Sequence, residues 1–288
     1  MRSLFAALLI CLCVLAVRAQ DSLLAPPNTI RFSSDLYIDK TEIANIHWLE
    51  YLHYLEKDSG KVYYKNALPD TSVWLAYGDS LRWKHYLRYP AYRYFPVVGV
   101  TQAQAINYCR WRSEVVSAKI SSESEVSFVY RLPSEAEWNR AASGDLDIQR
   151  YPFGYEIIYG SSSLVMRKSK QYFKQVNKEV EFRIFKRDLK SFIDKKEEIK
   201  FNVIKSFEDY FQYGDYAPAY IYDKRTQPNR LGLYHMIGNV AEMTDQPGIA
   251  KGGSWFHYPN ESTIENKIPY FKPEAWLGFR CVCEVYSD

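Results

Sequence analysis

Long apolar runs are almost absent from this chain of 288 residues, and so is any strong excess of one charge. The main apolar run, Leu4 to Val17, is short for a bilayer span and gives way to polar sequence. Met1-Arg2 precedes it and Val17-Arg18-Ala19 closes it, the charged start and small-residue cleavage pattern of a secretory signal. Residues 1–19 are therefore expected to form a signal peptide, leaving an exported chain, 20–288, with no transmembrane span. Ile10 and Leu12 stand before Cys11 and Cys13, where a lipoprotein signal carries a small residue, so lipid anchoring is the weaker reading. A net charge of +3 is too mild to draw nucleic acid as a partner.

Cysteine is scarce as well. Five are present, and two leave with the signal, so Cys109, Cys281 and Cys283 remain. In an oxidising compartment two of these should pair and one should be left over. Cys281 and Cys283 are two residues apart and point the same way in a strand, which disfavours a bridge between them. Glycine and proline are missing from residues 166–200, where lysine and arginine outnumber the acids about two to one. With apolar residues at helical spacing, that stretch is expected to be an amphipathic helical insertion whose charged face is solvated. A docking role toward an acidic partner or membrane headgroups is its alternative.

Aromatics, by contrast, are abundant: tyrosine alone numbers 25. Tyrosine supplies apolar area with a polar tip, which suits a loop-rich protein whose buried surfaces lie close to water, or a broad contact surface. Three glycine- and aromatic-rich clusters between Gly232 and Cys281 lie too close together for long helices, and predict a hub built of turns.

Upstream, Asp35 to Asn45 predicts a short strand passing into a helix capped by Thr41, with Ile43, Ile46, Leu49 and Leu52 as its apolar stripe. Tyr63 to Tyr94 has no clean period and predicts loop with short strands. Phe95 to Thr101 predicts a short apolar strand, followed by a helix over 101–112 that places Ala105, Tyr108, Cys109 and Arg112 on one side. Ser134 and Glu137 form a capping box for a helix whose inner face is Trp138, Ala141 and Ala142. His47 and His53 are expected to be packed, hydrogen-bonded residues rather than ligands.

Several motifs combine into a recognisable order: Tyr37 to Asn45, Pro96-Val-Val-Gly-Val, Arg131-Leu-Pro-Ser-Glu-Ala-Glu-Trp138, Tyr151-Pro-Phe-Gly154, Gly232-Leu-Tyr through Gly238-Asn-Val-Ala-Glu242, Lys251-Gly-Gly-Ser-Trp255 and Leu277-Gly-Phe-Arg-Cys281. Together they resemble the formylglycine-generating enzyme, or sulfatase-modifying factor, family. The resemblance implies an α+β fold, a single loop-rich domain related to the C-type lectin fold. It also implies a disulfide between Cys109 and Cys281, leaving Cys283 free.

In the active enzymes two cysteines shortly after Gly-Gly-Ser bind copper and activate oxygen to convert a substrate cysteine to formylglycine. Cu(I) requires soft thiolates. Here those positions fall near His257 and Ser262, so no copper is expected and no catalytic residue is carried over. The five dispersed histidines likewise do not match the histidine-rich domain of the iron-dependent members. Asn239, Val240 and Glu242 match a family calcium site built of oxygen donors. A metal-free turn held by Asx hydrogen bonds is the alternative, and Asn202 with Asp215 is a looser upstream candidate.

A narrower resemblance, in Pro69 to Trp74 and Arg88-Tyr-Pro-Ala-Tyr92, is to gliding-motility and type IX secretion lipoproteins of Bacteroidetes. It implies a non-catalytic scaffold or binding component of a bacterial cell-envelope complex, periplasmic or outer-membrane-associated, with envelope proteins as partners. The membrane surface is a further contact through the insertion. Two alternatives stand beside it. One is an enzyme of altered chemistry in which His257, with Glu261 or His235, binds a metal or moves protons. The other is a lectin-like binder with an open aromatic pocket at Trp255.

Overall fold

The structure, a computed structural model, describes residues 25–120, 126–155, 201–203, 217–223 and 226–287. The expected signal peptide and the expected helical insertion at 166–200 both lie outside the described residues. Among the described residues, no helix is long and apolar enough to cross a membrane.

Two four-stranded sheets carry the fold. The first has the order β1 (Thr29–Arg31), β2 (Leu36–Asp39), β8 (Val282–Ser287), β3 (Val126–Arg131), antiparallel throughout. The second runs β6 (Ile268–Pro269), β5 (Ile249–Lys251), β4 (Ala241–Met243), β7 (Leu277–Gly278), with β4 and β7 parallel. Alternation is clean in β3: Val126, Phe128 and Tyr130 are buried while Ser127 and Val129 are exposed. The free edge of β3 is covered by α4 (Gln102–Ile120). Ser113 and Ser117 of that helix accept hydrogen bonds from the Tyr130 and Phe128 N–H groups, at 2.8 and 3.0 Å, closing an edge that would otherwise present bare backbone.

Capping chemistry starts α4 and α5 (Glu135–Ser143). The Thr101 hydroxyl accepts from the Gln104 N–H while the Gln104 side chain accepts from the Thr101 N–H. Ser134 and Glu137 do the same for α5, which buries Trp138, Ala141 and Ala142 as expected. Ala105, Tyr108 and Cys109 of α4 are buried, and Arg112 reaches Asp39.

Other expectations change. Helix α1 (Asn45–Tyr54) begins four residues after Thr41, with Ala44 as its N-cap and His47 Nδ1 accepting from the Ala44 N–H. The delay has a cause: Ile43 is held extended, its N–H donating to Phe279 O and its carbonyl accepting from Val97 N–H. The buried stripe of α1 is consequently Asn45, Trp48, Tyr51 and Leu52. Residues 61–92 contain no strand; they form α2 (Lys61–Asn66), a 3-10 turn (Thr71–Tyr77), α3 (Ser80–His85) and a second 3-10 turn at Pro90–Tyr92. Phe95 to Thr101 is not a strand either. Its pairing is a single bridge, Ala44 to Pro96, because its partner segment turns into α1 immediately afterwards.

An aromatic cluster seals the two sheets to the helices. Trp48 stacks on Tyr108 at 5.5 Å and meets Phe279 edge-on at 6.0 Å, so α1, α4 and the β7 to β8 connection share one core. A second cluster gathers Ile38, Trp138, Leu233, Met236, Ile264 and Val282. Burying a side chain of this kind contributes roughly 1.5–3 kcal/mol.

Candidate functional site

Strand β5 ends at Lys251 and the chain turns through Gly252 and Gly253, both at positive φ (+86° and +69°). A Cβ on Gly252 would lie 2.6 Å from Met236 O, and one on Gly253 would lie 1.9 Å from Ser262 Oγ. The crossing therefore exists only for bare backbone. It delivers Ser254, fully buried, whose hydroxyl accepts from the Phe256 N–H at 3.1 Å and lies 2.7 Å from His257 Nδ1. His257 is half-buried with its ring edge-on to Trp276 at 4.8 Å, and burial lowers its pKa. Ser262 is fully buried and donates to Tyr258 O at 3.0 Å.

The two positions that would carry thiols thus hold a local serine–histidine turn and a serine packed against a glycine. Glu261 accepts from the Tyr258 N–H at 2.8 Å, capping its own short turn. His235 has a different set of neighbours: its Nε2 lies 3.2 Å from Tyr220 O and 3.4 Å from Thr226 Oγ1. Among the described residues, no group of three or more histidine, cysteine, aspartate or glutamate side chains could hold a metal ion. Trp255, expected in an open pocket, is buried and donates to Ala275 O at 3.2 Å.

Asn239, Val240 and Glu242 lie at the centre of a buried charge network. Asn239 takes a positive φ of 63°, which lets its side chain face the 201–203 and 217–219 segments. Its Oδ1 accepts from Ala219 N–H at 2.6 Å and from Asn202 Nδ2 at 3.1 Å. Its Nδ2 donates to Glu42 Oε1 at 2.8 Å. Glu242 receives Arg280 on both oxygens, at 2.5 and 2.7 Å, and Trp138 Nε1 at 2.8 Å. Val240 contributes a buried side chain against Gly278.

A calcium ion does not fit this donor set. The carboxylate it would need is neutralised by a guanidinium, and the amide oxygen is aimed at N–H donors. Asn202 joins Asn239 directly; Asp215 lies outside the described residues.

Glu42 lies in the Tyr37 to Asn45 motif and Arg280 in the Leu277 to Cys281 motif. Both are fully buried. Arg280 also donates to Asp39 O at 3.0 Å and Tyr234 O at 2.8 Å, so every edge of the guanidinium is used. One cation cannot neutralise two buried carboxylates. Burial, opposed by Arg280 and reinforced by Glu242, pushes the Glu42 carboxyl up to about 8, and its Oε2 has no hydrogen-bond partner. For Arg280 the signal was a charge interrupting an apolar run, between Phe279 and Cys281; Glu42 follows Asp39-Lys40-Thr41 and carried no such signal.

All three cysteines are buried and free, and the Sγ atoms of Cys109 and Cys281 lie 3.4 Å apart. Beside them Arg112 pairs with Asp39 at 2.8 Å through both terminal nitrogens and lies 4.1 Å over the Tyr130 ring. Burial pushes the Cys283 thiol up to about 12, far from the thiolate that metal binding or nucleophilic attack requires.

Two short-stranded sheets, a turn-built hub and an ion pair buried at its centre define an α+β domain. The chain belongs to the family described as sulfatase-modifying factor enzyme 1-like domain, whose model matches residues 13–285. PvdO from Pseudomonas aeruginosa shares the fold, with a TM-score of 0.52 at 18% identity over 88% of this chain and 82% of that one. CarF is similar, with a TM-score of 0.50 at 15% identity over 86% of each chain. Among curated proteins, 68 residues are 41% identical to serine/threonine-protein kinase pkn1 of Chlamydia pneumoniae. That match covers 24% of this chain and 8% of the kinase, so the chain spans less than a tenth of that relative's length.

Proposed function

We propose that this domain has lost the oxidase chemistry of its family and acts as a non-catalytic binding or scaffold component of a bacterial cell-envelope complex. The observation that carries the reading is the environment of the two former thiol positions. Ser262 is buried against Gly253 with its hydroxyl bound to Tyr258 O, and His257 is held by Ser254. Neither can supply a soft thiolate, and the three cysteines of the domain lie buried elsewhere. An exported chain with periplasmic or outer-membrane partners, in the manner of gliding-motility and type IX secretion components, is the setting that the leader sequence and the 69–92 motifs support. The Cys109 and Cys281 thiols are free here but lie 3.4 Å apart, close enough for oxidation in that compartment to join them.

The test is direct. Purified protein is incubated with copper, oxygen and a Cys-x-Pro-x-Arg peptide, and the peptide mass is followed. No formylglycine should form. Copper- and oxygen-dependent conversion would overturn the reading, whereas capture of a defined envelope protein by the full chain would support it.

A further inference from the structure

Helices α2 and α3 bury none of their residues, although they contain Val62, Tyr63, Leu81 and Trp83. A helix of six residues is not stable in water alone, so both are held by what flanks them. Ala67, Tyr86 and Leu87 anchor the segment in the core. Arg88 also ties the end of α3 to α2 through the Tyr64 hydroxyl at 2.8 Å. The rest faces outward. Of the fourteen large hydrophobic residues exposed among the described residues, eight lie between Val62 and Tyr94, with Val62 at 68%, Tyr63 at 64%, Leu81 at 63% and Tyr89 at 56%. Core packing explains none of these, and single exposed apolar residues do not usually concentrate in this way.

The charges around them are mostly basic. Between Lys61 and Arg93 the chain holds six lysines and arginines, His85, and only two acids, Asp70 and Asp79. Asp79 is spent on Arg82 and on capping α3, and Asp70 caps the 3-10 turn. Glu56 and Asp58 lie just upstream on the preceding turn. Among the described residues Lys61 and Lys65 make no ion pair, and Lys84 lies over the Trp83 ring at 5.8 Å.

From this we infer that the surface formed by α2 and α3 docks onto an anionic lipid bilayer: Leu81, Trp83, Val62 and Tyr63 enter the interface while Lys61, Lys65 and Lys84 meet the headgroups. Tryptophan and tyrosine favour the headgroup level, aliphatic side chains the region beneath it, and each lysine near an anionic leaflet adds to binding. An acidic protein would satisfy the lysines but would not explain two helices that leave their apolar residues uncovered. This surface is distinct from residues 166–200 and does not depend on the loss of oxidase chemistry, since the assays are separate.

The test is co-sedimentation of the full chain with phosphatidylglycerol-rich vesicles and with phosphatidylcholine vesicles. Binding should be confined to the anionic vesicles. Lys61→Glu/Lys65→Glu/Lys84→Glu should weaken it about a hundredfold, and Leu81→Ser/Trp83→Ser should weaken it about tenfold or more. These side chains are exposed, so thermal melts should match the parent; if Trp83 proves structural, Val62→Ser/Tyr63→Ser repeats the test on α2. Unchanged binding by both sets of variants would place the contact elsewhere and overturn the proposal, as would no vesicle binding at all. Concentration-dependent self-association abolished by the same variants would make a second copy the occupant, and would also overturn it.

Discussion

Replacing Glu42 by glutamine should change how the stability of this domain depends on pH more than it changes the fold. Glu42 is fully buried, its Oε1 accepts from Asn239, its Oε2 has no partner, and Arg280 is already committed to Glu242. Its carboxyl moves from 4.5 in the unfolded chain to about 8 in the fold. Below the lower value both states are protonated and the stability that Glu42 contributes is fully present. As pH rises, the unfolded chain releases the proton first while the folded one retains it, so stability falls across this window and the loss is complete above the upper value. At about 1.4 kcal/mol per pKa unit the loss is roughly 3–5 kcal/mol. Glutamine keeps the acceptor for Asn239 and carries no charge at any pH. Urea denaturation at about pH 5 and about pH 8.5 should therefore show the parent losing stability between them and Glu42→Gln losing much less. Parallel behaviour of the two proteins would refute the assignment of that proton to Glu42.

Other expectations follow from the same network and the same turn. Glu242→Gln should leave Arg280 buried with an incomplete partner and cost about 3–5 kcal/mol by denaturant melt. Gly253→Ala should cost at least about 2 kcal/mol, since its φ is +69° and the new Cβ would collide with Ser262. Calcium or a chelator should leave the melting temperature unchanged, because the oxygens of Asn239 and Glu242 are already engaged; a calcium-dependent rise would contradict this. Thiol titration of the exported protein in denaturant should count Cys283 alone before reduction. Loss of the Cys109–Cys281 bridge should cost up to about 4–5 kcal/mol in the chain-entropy model.

What could be read from the sequence was the local chemistry. The Ser134 box and the faces of α4 and α5 depend on residues three or four apart, and the structure bears them out. Thr41 has the right residue type for a cap, but α1 starts later because the backbone of Ile43 is claimed by Phe279 and Val97, partners far away in sequence. The stretch Tyr63 to Tyr94 predicts loop with short strands because the short helices there lack a buried stripe, and without one there is no period to detect. The site shows the same limit. The motif order located Asn239 and Glu242, but whether their oxygens were free depended on Arg280, Trp138 and Ala219, which only the folded chain brings to them.

The position of β8 has a consequence for biosynthesis. Strand β8 lies between β2 and β3, pairing with a segment near residue 37 on one side and one near residue 130 on the other. Until residues 282–287 have been made, the first sheet lacks the strand that joins β2 to β3, and Tyr37 and Tyr130 have nothing to pair across. The first sheet thus stays open until β8 has been made, and β2 waits for its partner across the whole interval of chain between them.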